Sequence, residues 1–146
     1  MSTTATFRTT APTALGALRV GGIVLAVSVI ANLLVLAIGR LAGAEMDVVR
    51  AGTTEPVEVG AFMVLFMTVL PLALGTLALA IVSRWGERGW QVLAWFGLGL
   101  GVLTVFMPFT VQASTGTALT LAAMHLVVGA VWFGAIRQTL GQSSRS

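Results

Sequence analysis

The sequence predicts an all-α membrane protein, a four-helix transmembrane bundle, and three observations carry that prediction. Charged residues make up 9% of the chain and hydrophobic residues 57%, whereas an ordinary soluble domain is about 25% charged. Mean hydropathy is +0.98. The few charges leave four uncharged apolar runs between them, about residues 20–39, 59–83, 90–109 and 117–136. Each run reaches the roughly 20 residues that a helix rising ~1.5 Å per residue needs to cross a ~30 Å hydrocarbon core. Connections too short to fold alone make one domain, about 19–137, with low-complexity tails at 1–18 and 138–146 expected to be disordered.

The first run lies between Arg19 and Arg40 and is followed by Ala42-Gly43-Ala44, which resembles a signal-peptidase site. A cleavable signal has an apolar region of about 7–15 residues, and this run is longer, so an uncleaved anchor is expected. The first connection, about 40–58, carries Glu45, Asp47, Glu55 and Glu58 around two short β-favouring pieces. A small hairpin or flap is expected there, with Met46, Val48, Val57 and Val59 laid on the outer mouth of the bundle. It reads either as a lid that attracts cations or partners, or as a solvated connector. Four acids without a repeated spacing make no metal signature, which favours the connector.

Pro71 removes a backbone donor from the second span and should kink it near mid-membrane. In the third span Gly97 and Gly101 share a face at four-residue spacing, where a neighbouring helix of the same chain or of a second copy can approach closely. Pro108 sits at the outer end of that span and should help to stop it. The fourth span carries His125, the single histidine.

All eight basic residues are arginine, against five acids, for a formal charge of +3. Scattered at span ends and not clustered with aromatics, they do not point to nucleic acid. If the spans alternate, Arg8, Arg19, Arg84, Arg88, Arg137 and Arg145 fall on one side and Arg40 and Arg50 on the other. The positive-inside rule then places both termini in the cytoplasm and the acidic loop outside. Trp85, Trp90 and Trp132 fit an interfacial belt at the inner side. The absence of cysteine excludes disulfides and thiolate chemistry on this chain.

Polar residues within the spans are few: Ser28, Asn32, Thr68, Thr76, Thr104, Thr120 and His125. No acid or arginine lies deep in a span, which argues against a proton-coupled pump. Counted from the outer ends, His125 lies ~12 Å deep, Asn32 ~10 Å, Thr68 ~14 Å and Thr104 ~8 Å, so the four can share one layer. Such a layer is either a hydrogen-bonded network that fixes helix register or a small polar cavity in which imidazole meets a ligand. A lone histidine supplies too few ligands for a haem or metal site, unless a dimer or Met124 and Met107 add one, and no cofactor is expected.

Trp90, then Pro108-Phe109-Thr110, then Leu119-Thr120-Leu121-Ala122-Ala123-Met124-His125-Leu126-Val127-Val128-Gly129-Ala130 resemble the C-terminal half of small four-helix integral membrane proteins of actinobacteria. That family is catalogued as a domain of unknown function. The resemblance implies a four-helix fold and carries no activity, substrate or site residues, although it makes His125 part of a family motif.

The leading functional expectation is a non-enzymatic accessory or interaction partner of a membrane or envelope assembly, in contact with the lipid bilayer and with a second copy or another membrane protein. The alternative is a binder or transporter of a small molecule or lipid, using an outer-half cavity around Asn32, Thr68, Thr104 and His125. Acid–base catalysis would need a second group beside His125, within reach only if Glu55 or Glu58 folds inward. A cavity large enough for a ligand and lined by His125 favours the alternative; tight packing there favours the first reading.

Overall fold

The computed structural model describes residues 12–49 and 51–143. The first helix, α1 (Ala14–Leu41), starts earlier than the charge pattern suggests because Thr13 caps it, its Oγ1 accepting the Gly16 N–H at 3.0 Å. Its end is a Schellman motif. The Gly43 N–H bonds the Arg40 carbonyl and the Ala44 N–H bonds that of Gly39, with Gly43 at φ +88°. Ala42-Gly43-Ala44 thus serves as a helix stop, and the φ at Gly43 requires glycine. Of the tail expected over 1–18, residues 1–11 lie outside the described residues, as do Arg50 and Arg145.

Strands β1 (Asp47–Val49) and β2 (Pro56–Glu58) form the expected hairpin, pairing Asp47 with Glu58 and Val48 with Val57. Helix α2 (Ala61–Val82) follows, then a 3₁₀ turn at Ser83–Trp85 and α3 (Gly86–Thr104). α3 stops short of residue 109, and a second 3₁₀ turn, Met107–Thr110, which contains Pro108, completes the helical path. A third strand, β3 (Gln112–Ala113), comes from the connection between α3 and α4 and pairs antiparallel with β1, giving the order β2-β1-β3. Helix α4 spans Thr115–Ser143.

Three continuous helical stretches are long and apolar enough to cross a membrane, 14–41, 61–110 and 115–143, where the sequence predicts four. The second and third expected spans are joined because the Ser83–Trp85 turn continues hydrogen bonding from α2 into α3, with Gly86 at φ +65°. The β1–β3 pairing shows that the chain nonetheless doubles back. It returns the end of α3 to the same sheet from which α2 departs.

Two apolar cores lie at opposite ends of the bundle. Near the α2–α3 turn, Ala17, Val24, Leu79, Trp90, Ala94, Trp132, Ile136 and Leu140 pack together. Under the sheet, Leu36, Ala44, Met46, Val48, Val59, Val64 and Met124 form the second. Met46 adopts φ +61° and is fully buried. That left-handed backbone is held by the Met46 N–H bond to Thr117 Oγ1 at 2.9 Å and by the Val59 N–H bond to its carbonyl at 2.7 Å. Leu140 belongs to the first core, so α4 remains helical through the stretch expected to be a tail from 138 onward, as far as Ser143. Outward faces carry Leu34, Phe66, Phe96 and Leu103 in the open, a surface suited to lipid and not to water.

The helices meet along three seams. On α1, Gly21 faces Thr76 of α2 and Gly39 faces Thr120 of α4, so close that a Cβ would fall 2.2 Å and 2.5 Å from the threonine atoms. At the third, a Cβ on Gly101 of α3 would sit 2.9 Å from the Gly129 Cα and 3.0 Å from the His125 carbonyl oxygen. Gly101→Ala should therefore destabilise the protein by about 1–3 kcal/mol by forcing α3 off α4. Gly99→Ala, which points into open space, should leave the thermal midpoint unchanged or raise it; equal midpoints for the two variants would contradict the close seam.

Candidate functional site

The fourth side of the bundle is not closed. Helices α2 and α3 make few direct contacts, and between them lies a cavity of about 760 Å³ floored by α1 and α4. Ligand pockets commonly measure about 300–1,000 Å³. Asn32, Thr68, Thr104 and His125, each from a different helix, all line it. The remaining wall is mainly apolar, with Met63, Met67, Leu100 and Phe96 among the lining residues, and Pro71 sits inside α2 on the same wall.

Trp132 sets the width of this space. Its indole fills the room that side chains at Gly75 of α2 and Gly97 of α3 would take, at 3.1 Å and 2.3 Å from the respective ideal Cβ positions. Its Nε1–H donates to the Leu93 carbonyl at 2.8 Å, and the residue is 4% exposed. It is a buried wedge, which corrects its expected place in an interfacial belt. Trp90 is buried as well and donates to Ser83 Oγ at 3.0 Å; of the three tryptophans expected in the belt, Trp85 alone is exposed, beneath the Arg84 guanidinium at 5.1 Å. Aromatic position near a span end could not distinguish these cases, but two glycines facing a large ring are a signal that could have. Gly97 and Gly101 thus both pack within the chain, one on an indole and one on a backbone.

Hydrogen bonds fix the polar groups. Asn32 Nδ2 donates to Thr68 Oγ1 at 2.9 Å, and that hydroxyl donates to the Val64 carbonyl at 2.7 Å. Thr104 Oγ1 donates to the Leu100 and Gly101 carbonyls at 2.8 Å and 3.2 Å. His125 Nδ1 lies 2.7 Å from the Leu121 carbonyl; a carbonyl only accepts, so Nδ1 carries the proton. Asn32 is 3% exposed, and its Oδ1 is buried without a hydrogen-bond partner. One turn earlier on α1, Ser28 Oγ is in the same condition.

The acids of the first connection lie elsewhere. Asp47 and Glu58 face each other across the hairpin, Glu58 is ion-paired with Arg40, and Glu45 and Glu55 are exposed. No acid or arginine lines the cavity among the described residues, and no group of three metal-ligating side chains occurs there.

Asn32→Leu removes the bond to Thr68, which in membranes averages ~0.6 kcal/mol, and also relieves a buried acceptor whose missing partner costs ~1–3 kcal/mol. Its thermal midpoint should equal or exceed that of wild type. A fall of several degrees would show that Asn32 is chiefly a register pin.

Residues 12–142 match a family of unknown function (DUF6069). No curated protein and no solved structure matches the chain. The match runs from the cap of α1 into the last turn of α4, well beyond the segment whose resemblance is visible by eye, and the chain belongs to this family of unknown function (DUF6069).

Proposed function

We propose that this protein is a four-span protein of the cell membrane, with both termini cytoplasmic, that binds a lipophilic small molecule or lipid in the cavity between α2 and α3. The single observation that carries the reading is the cavity itself, large enough for a ligand and lined by Asn32, Thr68, Thr104 and His125. A register-fixing network would bond all four to one another, whereas Asn32 and Thr68 are bonded and Thr104 and His125 turn to their own helices. The outward apolar faces need no protein partner, since lipid covers them equally well, so the accessory role loses its main support. The doubling back at Ser83–Gly86 favours four crossings, and the arginine distribution supports their direction.

Two measurements test this reading. In thermal melts of purified protein against a panel of lipids, quinones and long-chain alcohols, a ligand at a hundredfold excess over its Kd should add about 2.7 kcal/mol of stability. Ala78→Phe, which fills a lining position of the cavity, should remove that response; a panel without any wild-type response would overturn the reading. Because the chain has no cysteine, Glu55→Cys and Gln142→Cys give single labelling sites. An impermeant thiol reagent added to intact cells should label the first and spare the second, and the reverse pattern would invert the topology.

A further inference from the structure

Building on that binding reading, we infer that the ligand is an uncharged amphiphile with a hydroxyl head, held by Asn32 and His125. The inference follows from where the protons in the cavity have gone. Thr68 and Thr104 donate their hydroxyl protons to carbonyls of their own helices, and His125 donates its Nδ1 proton to Leu121. With Nδ1 engaged, the ring's other nitrogen, Nε2, offers a lone pair in the neutral tautomer. Asn32 spends one N–H on Thr68 and keeps Oδ1, buried and unpartnered, as an acceptor. Apart from the second amide proton of Asn32, the cavity presents acceptors, so its complement is a donor.

Two kinds of donor fit acceptors, a hydroxyl and an ammonium. With no carboxylate in the lining among the described residues, an ammonium would be desolvated without a counter-charge, at a cost that hydrogen bonds alone do not offset. A carboxylate or phosphate head would meet the same acceptors and be repelled. A hydroxyl donates to Nε2 or Oδ1 and can accept from the free Asn32 N–H, while its chain lies against Met67, Phe96 and Leu100.

The test uses full-length protein in lipid nanodiscs and four probes with one chain: hexadecan-1-ol, its methyl ether, hexadecylamine and palmitate. The alcohol should bind about tenfold more tightly than the ether, the gain from the one hydrogen bond its proton adds, and more tightly than either ion. Asn32→Leu and His125→Leu should each reduce the alcohol-to-ether ratio toward one while retaining binding of both. The ratio is read within each variant, so a change in stability does not mimic the effect, and either variant suffices if the other fails to fold. Equal binding of alcohol and ether, or preference for an ion, overturns the hydroxyl assignment and leaves the binding site standing. Binding of none of the four overturns both.

Discussion

In a bilayer, apolar side chains gain little by leaving lipid for one another, so helix contact depends on how closely backbones can approach. Here that approach is set by small residues on three seams: Gly21 of α1 against α2, Gly39 of α1 against α4, and Gly101 of α3 against Gly129 of α4. The fourth seam has its glycines too, Gly75 on α2 and Gly97 on α3, but the Trp132 indole lies against both. A large ring held by its own hydrogen bond to Leu93 keeps those helices apart. The cavity is thus a consequence of where the small residues are met by backbone and where they are met by an aromatic ring.

Much of this was legible in the residues. The apolar runs located the helical segments, the Gly97–Gly101 spacing marked a packing face, and depth counting placed Asn32, Thr68, Thr104 and His125 in one layer that the structure brings to one cavity. The missed features share a cause. β3 is two residues long and exists only because the third connection lies beside the first. The early start of α1 rests on a single threonine cap, and the late end of α4 on the burial of Leu140. Helix ends are decided by such local or tertiary contacts, which hydropathy does not report. Trp90 and Trp132 fit an interfacial belt by sequence because a position near a span end looks the same whether the ring faces lipid or the interior.

The polar layer separates two well-packed cores. Were it present only to fix register, every member would be paired, since an unpaired polar group away from water costs more than a neutral hydrogen bond returns. Instead Ser28 Oγ and Asn32 Oδ1 are left without partners, and the His125 ring turns its proton toward its own helix. Local rules broken at one level of the fold, with tight packing above and below, are the pattern expected of a site and not of a scaffold.

The sheet gives this site a direction. Met46, Val48 and Val59 lie under the strands and pack with Met124, which also lines the cavity, so the core under the sheet covers that end. At the opposite end, α2 and α3 are joined through Ser83–Gly86 and closed by buried Trp90. What remains open is the side between the two helices, where exposed Met67, Leu74 and Phe96 line the opening. A ligand entering there comes from the hydrocarbon and not from water, and has already left its hydration behind. For such a ligand a few fixed acceptors are worth more than they would be in an aqueous pocket, because water is not there to compete for its proton.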